Sequence, residues 1–284
     1  RKTPIQWLKK NLPNNMSAGD TVAITGHSLG GAISPVLAQA LKDYQEAWNT
    51  NGISLNIAAY LFAGHTPGDT VYRDYVQSSL SKIESTVNLY DVVPHAWSLC
   101  PTSSPVCLEK IRSLYESVMP EIVNKEDATV STMCDWAIDK SKKATLDGST
   151  ASVNYSRWTN EIKLEGDLEK ANPQVVEKLL SGLRFLKTVS HVKASLAVIC
   201  DTNDENQIDN CLEYFSCFMV IMGGQHVAQY RIKVFKDDAF SNDLKAIFDL
   251  SKEFDELYGG IVLSKLFSLL ANWKKAVTQN KGSR

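Results

Sequence analysis

Val22-Ala23-Ile24-Thr25-Gly26-His27-Ser28-Leu29-Gly30-Gly31 decides how this chain is read. Gly26-His27-Ser28-Leu29-Gly30 fits G-x-S-x-G, a strand-to-helix turn that presents a serine for nucleophilic attack. The surroundings suit the motif: an apolar strand from Thr21 to Thr25 runs into it, and a helical pattern from Leu29 to about Tyr44 runs out. A serine hydroxyl is a weak nucleophile until a base takes its proton. The turn is expected to lift that hydroxyl above the sheet, with Gly26 and Gly30 leaving room for the bend and for close packing of helix on strand. The backbone N–H of Leu29, at the helix N-terminus, is then aimed at any negative charge formed there.

Working outward, the pattern alternates. Ser54 to Phe62 reads as a second strand, Asp69 to Leu80 as a helix, and Thr86 to Tyr90 as a third strand closing on Asp91-Val92-Val93-Pro94. Strand, helix, strand, helix, strand predicts an α/β domain with a mostly parallel sheet. From about Val106 to Met222 the sequence reads mainly as helices. A strand-like run, Val227 to Phe235, then returns, followed by helical patterns over Asn242 to Tyr258 and Ile261 to Val277. The expected organisation is a core over 1–97, a helical insertion or cap over 98–223, and a return to the core over 224–284.

Composition narrows the classes. The chain has 284 residues, 44% of them apolar, with a net charge of −2, enough to bury a core and too balanced for disorder. No basic run points to nucleic acid. No apolar stretch approaches the roughly 20 residues that span a bilayer. Six cysteines, none in a C-x-x-C pair, make a zinc site a poor fit. Cys100 and Cys107 bracket one short loop and Cys200 and Cys211 another, so disulfides and a secreted or extracytoplasmic location are weakly favoured over six buried thiols.

A serine elbow needs a base and an acid that orients it. Asp91 follows a strand at the sheet's carboxyl end, where catalytic groups collect in parallel sheets; the competing role is to cap the turn before Pro94. Five histidines are available. His27 belongs to the elbow and is expected to pack. His95 lies too close to Asp91 in sequence for triad geometry, and His191 falls in a helical pattern. His65 follows the second strand and is a candidate for the pocket mouth, as is Trp97 beyond the acid loop. His226, after Gly223-Gly224-Gln225 and opening the last strand-like run, is the favoured base, with His65 second.

Four segments in order carry a family resemblance: Thr25-Gly26-His27-Ser28-Leu29-Gly30-Gly31-Ala32; Leu61-Phe62-Ala63-Gly64 with Pro67-Gly68; Asn88-Leu89-Tyr90-Asp91-Val92-Val93-Pro94; and Gln225-His226-Val227-Ala228-Gln229-Tyr230. Together they resemble the class 3 lipases, typified by secreted fungal triacylglycerol lipases. The resemblance implies an α/β-hydrolase fold, hydrolysis of carboxylic esters of lipids, and a triad of Ser28, Asp91 and His226 needing no metal or organic cofactor. Two departures accompany it. The family places several strands, a lid and a second oxyanion donor before the elbow, whereas only residues 1–20 precede the elbow's strand here. That upstream half is expected to be missing, cleaved away or supplied as a separate chain. The helical stretch between Asp91 and His226 is also longer than in the compact fungal enzymes.

The expected function is a serine hydrolase acting on an acylglycerol or phospholipid. The rivals are an acyltransferase using the same triad and a non-catalytic, lipase-like binding or signalling protein. Asp201-Thr202-Asn203-Asp204-Glu205-Asn206 with Asp209 lacks the glycine and terminal glutamate of an EF-hand and is expected to cap the next helix. The amphipathic run Ile261 to Lys275 is expected to pack on the core, with contact to a membrane or lipid surface as the lesser reading.

Overall fold

The computed structural model describes residues 16–45, 52–65, 68–95, 108–121, 123, 155–188, 190–200 and 202–235, together with Gln6 and Lys10. The chain divides into two compact units, residues 1–108 with 141–166, and residues 109–140 with 167–284.

In the first unit, β1 (Thr21–His27) leads through Ser28 into α1 (Leu29–Asp43). Then come β2 (Asn56–Phe62), the two-residue β3 (Gly68–Asp69), α2 (Thr70–Ser79) and β4 (Lys82–Asn88). Asp69 caps α2, its carboxylate accepting from the Tyr72 N–H at 2.8 Å. Four strands form a sheet in the order β1-β2-β4-β6, where β6 is Glu161–Leu164. Every pairing in it is parallel, with His27 beside Phe62, Phe62 beside Thr86, and Asn88 beside Leu164. β5 (Tyr155–Ser156) pairs antiparallel with β3. The expected α/β class with a mostly parallel sheet is what the structure has.

The core of this unit explains why the strands read as apolar runs. Ile57, Ala59 and Leu61 of β2 are buried with Ala38 and Leu41 of α1, Val76 and Leu80 at α2, and Trp158. Val22 and Ile24 of β1 pack on the same cluster, while Thr21, Ala23, Thr25 and His27 alternate outward and are exposed. That alternation is the period-two signature of a half-covered strand. α1 buries Gly31, Ser34, Pro35, Ala38 and Leu41, a helical spacing, and continues through Pro35 as one element.

The second unit is helical among the described residues. It contains α3 (Leu108–Val118), which starts at the boundary, then α4 (Pro173–Lys187), α5 (Ser190–Cys200) and α6 (Glu205–Gly223). A π turn (Gly224–Ala228) and α7 (Gln229–Phe235) follow. Ile111, Tyr115 and Met119 of the α3 stripe are buried, as are Leu180 and Leu183 of α4 and Ile208, Leu212 and Ile221 of α6. The Tyr115 and Phe218 rings lie 5.1 Å apart, and Tyr214 donates to Glu116 at 2.9 Å.

Three expectations change. Residues 161–164, placed in the helical insertion over 98–223, form a strand of the first unit's sheet. Residues 224–235, expected to return to the core as a loop and strand, are helical and belong to the second unit. Here the deciding pattern is burial of Cys217, Ile221, Gln225, Ala228 and Gln229, a helical spacing. Gln225 donates to the Asp167 carbonyl at 2.7 Å and Gln229 accepts from the Asp167 N–H at 3.0 Å, so the two glutamines hold both backbone polar groups of one residue. The third change is at β4, which ends at Asn88, so Asp91 stands three residues past it in a turn. The helical patterns over Asn242 to Tyr258 and Ile261 to Val277, including Ile261 to Lys275, lie outside the described residues.

Of the cysteine pairs, Cys200 and Cys211 form a disulfide joining α5 to α6, and Cys217 is a buried free thiol. Cys100, Cys107 and Cys134 lie outside the described residues. The acidic loop behaves as a cap: Asp204 accepts from the Asn206 and Gln207 N–H groups at 2.9 and 3.0 Å. Lys187 pairs with Asp209 and Glu205, and Lys193 with Glu205. Among the described residues no cluster of side chains suits a metal ion, and no helix is long and apolar enough to cross a membrane.

Candidate active site

Ser28 sits between β1 and α1 with φ 57° and ψ −121°. Positive φ in a residue with a Cβ stores about 1–3 kcal/mol of strain. Serine at a helix N-cap ordinarily uses its hydroxyl to accept from an amide of the first turn. Ser28 holds the N-cap position of α1 but makes no such bond. Its backbone is pinned instead, the N–H donating to the Phe62 carbonyl at 2.9 Å and the carbonyl accepting from Ala32 at 3.1 Å. The hydroxyl is thus withheld from the helix and turned by the strained backbone.

The glycines around the serine have unequal roles. A Cβ on Gly26 would come 2.2 Å from the Gly30 carbonyl oxygen and 2.5 Å from Ser34 Oγ. Ser34 Oγ is itself fixed by donating to that same carbonyl at 2.7 Å. Gly31 approaches the turn after β2, where a Cβ would meet the Phe62 oxygen at 2.8 Å and Gly64 Cα at 2.9 Å. A Cβ on Gly30 would meet nothing within 4 Å. The close packing expected of Gly26 and Gly30 therefore belongs to Gly26 and Gly31. Leu29 opens α1, in the first turn, where amides lack intrahelical partners. It is 66% exposed, so the residue beside Ser28 presents apolar surface.

Asp91 is fully buried. Its N–H donates to the Asn88 carbonyl at 3.1 Å and its carboxylate accepts from the Val93 N–H at 3.0 Å. It therefore does hold the turn before Pro94, the competing role, while standing at the carboxyl end of the sheet. The arch is braced from β6: Leu89 N–H donates to the Leu164 carbonyl at 2.8 Å, and the Asn88 side-chain oxygen accepts from Gly166 at 3.1 Å and Tyr90 at 3.2 Å.

His95 closes the arch. Its Nε2 lies 3.1 Å from the Leu89 carbonyl oxygen and its Nδ1 lies 3.0 Å from Arg157 NH1. A carbonyl only accepts and a guanidinium only donates, so Nε2 carries the proton and the ring is neutral. Burial, and then the Arg157 charge, push its pKa down from 6.5 to about 4, against the pull of the Leu89 carbonyl. Arg157 is in turn held by Glu161, through Nε at 3.0 Å and NH2 at 3.0 Å. Burial raises the Glu161 pKa, with Arg157 and Lys163 opposing.

His65 follows β2, half-buried, two residues past Ala63, a second non-glycine residue with positive φ (51°). Ser28, His65 and Asp91 all belong to the first unit and follow the carboxyl ends of β1, β2 and β4, neighbours in the sheet. His226 is half-buried in the π turn of the second unit, a helical setting in place of the expected glycine-held loop. His27, expected to pack, is exposed at the end of β1. The backbone of His191 lies in α5, and Trp97 lies outside the described residues. Sequence reasoning did not find Arg157 or Glu161, because no motif spacing marks a pair that matters only through a buried imidazole distant in sequence.

Comparison with known proteins gives three findings. Residues 5–99 match the family model described as Lipase (class 3). A lipase of Rhizomucor miehei is 36% identical over 74 residues, which is 26% of this chain and 19% of that protein's length. The matched stretch thus spans about a fifth of that relative. The solved structure titled "Crystal structure of M37 lipase" is similar at 21% identity and a TM-score of 0.42, covering 76% of this chain and 57% of that one.

Proposed function

We propose, on the premise that residues 5–99 are class 3 lipase sequence, that the protein is a serine hydrolase cleaving carboxylic esters of lipids, acylglycerols or phospholipids. Ser28 attacks the ester carbonyl, His226 takes the serine proton, and Asp91 holds the imidazole in its productive tautomer. The N–H of Leu29 receives the developing oxyanion. His226 passes the proton to the leaving alcohol, and water resolves the acyl-enzyme by the same route. No metal or organic cofactor enters these steps. The lipid ester or its surface is the partner.

The observation that carries this reading is Ser28 itself. It occupies an N-cap under positive φ with its hydroxyl withheld from capping. Strain of that kind persists where surrounding structure enforces it, commonly at reactive sites. A second assignment of the base is favoured by one observation: His65, unlike His226, shares the first unit and the sheet's carboxyl rim with Ser28.

The test is fluorophosphonate labelling of the full chain with Ser28→Ala as control, followed by ester turnover in His226→Ala and His65→Ala. Labelling lost only in Ser28→Ala, with turnover falling by about 10⁴-fold in His226→Ala, is the expected result. The same fall in His65→Ala and not His226→Ala moves the base to His65. An unlabelled, folded protein refutes the hydrolase and favours a binding role. Ester product formed with an added alcohol acceptor in place of free acid identifies an acyltransferase.

A further inference from the structure

Asp91 is held by an arch running from Asn88 to His95, and that arch is closed by side chains from a part of the chain about 65 residues further on. Four contacts form the closure. The Glu161 carboxylate of β6 grips Arg157 through both Nε and NH2 at 3.0 Å. Arg157 NH1 donates to His95 Nδ1 at 3.0 Å, and His95 Nε2 donates to the Leu89 carbonyl at 3.1 Å. Leu89 N–H donates to Leu164 of the same strand β6 at 2.8 Å. Leu89 is thereby held at both its amide and its carbonyl, two residues before the acid. His95 is 4% exposed and Asp91 is fully buried, so water offers the arch no ready substitute for a lost partner.

The geometry points to Arg157 as a positioning residue for Asp91, acting through the neutral imidazole of His95. This rests on reading Asp91 as the acid of the site. Arg157 and His95 touch neither substrate nor the reacting atoms; they fix where the carboxylate stands. Arginine suits the task because one edge of its guanidinium pairs with Glu161, Nε donating, while NH1 is directed to His95. Burial, and then the Arg157 charge, keep His95 unprotonated, which preserves the Nδ1 acceptor. A lysine offers a single ammonium and cannot span both partners in that planar arrangement.

A scaffold role alone would leave catalysis untouched in whatever fraction stays folded, so the experiment reads catalysis in folded protein. Turnover of a soluble ester and the rate of fluorophosphonate labelling are measured for Arg157→Gln, Arg157→Lys, Asp91→Asn and the double variant Asp91→Asn/Arg157→Gln, each normalised to folded protein by near-UV circular dichroism. Arg157→Gln is expected to lower kcat by about 10- to 100-fold, with KM within about twofold, because displacing a catalytic group by about 1 Å costs that much. Arg157→Lys recovers part of the loss. Added to Asp91→Asn, the Arg157 change costs nothing more, since both act through one carboxylate.

Should Arg157→Gln fail to fold, His95→Ala and His95→Gln give the same readout: the alanine lowers kcat, and the glutamine, which restores a donor and an acceptor, recovers most of it. Multiplying losses in the double variant, or a changed KM with unchanged kcat, overturns the positioning role while leaving the hydrolase reading intact. Full kcat in Asp91→Asn overturns the positioning role together with the assignment of Asp91 as the acid, because the acid is then elsewhere.

Discussion

The neutral state of His95 has a measurable consequence for acid stability. The ring is buried, accepts from Arg157 and donates to the Leu89 carbonyl. Protonating it removes the acceptor and sets two cations against each other inside the protein. The folded pKa is about 4 against an ordinary 6.5. Between those values the unfolded chain binds a proton that the native one refuses, so stability falls as pH falls. The contribution is fully present above pH 6.5 and is lost progressively down to about 4. At about 1.4 kcal/mol per pH unit, the interval amounts to about 3 kcal/mol. Glu161 faces the same arginine with a raised pKa and acts in the opposite sense. The His95 part is therefore isolated by difference. Urea unfolding followed by tryptophan emission, to which buried Trp158 contributes, is run from neutral pH to about pH 4 on the wild type and on His95→Gln. The wild type should lose about 3 kcal/mol more than the variant over this interval. Parallel curves would refute both the neutral, buried assignment and the arithmetic built on it.

Three further outcomes follow from the glycines and the cysteines. Gly26→Ala should cost about 3 kcal/mol or more, and Gly31→Ala about 1–3 kcal/mol, because each new methyl runs into backbone; Gly30→Ala should be neutral or stabilising by up to about 1 kcal/mol. Thermal denaturation of the three variants checks the order, and equal losses at all three positions would contradict it. Reducing Cys200–Cys211, whose partners are 11 residues apart, should destabilise the second unit by about 3 kcal/mol on chain-entropy grounds. Cys217, its thiol pushed up to about 11 by burial and then by Glu213, should resist iodoacetamide at pH 8 until the protein unfolds, which a mass-resolved alkylation time course would read.

The first unit's early elements were legible because their physics is local. Val22 and Ile24 alternate with outward residues, α1 repeats its buried face at helical spacing, and the glycines mark the turn between them. β6 was not legible: Glu161-Ile162-Lys163-Leu164 has only two apolar residues, and its place is fixed by pairing with β4 and by the Arg157 contact. The run from Val227 to Phe235 misled for a specific reason. Tyr230, Ile232 and Val234 alternate as a strand would, whereas the helical face is completed by Gln225 and Gln229, polar residues buried because both bind the backbone of Asp167. The turn at Ser28 and Leu29 and the turn at Asp91 were legible as turns after strands. The contacts that hold the Asp91 arch were not, because tautomer and burial are properties of the folded arrangement.

The contacts that brace the acid's arch also bear on how the protein can be cut. The lipase family model matches residues 5–99, which makes residue 99 an inviting end for a minimal fragment. Yet the neighbours of β4 and of its trailing turn are residues 157–166. A fragment ending at 99 would keep the recognisable signature and discard the strand that shields β4's outer edge, leaving Asp91 on an unsupported tail. The smallest piece that keeps the arch therefore joins residues 1–108 to 141–166, with a brief linker in place of residues 109–140.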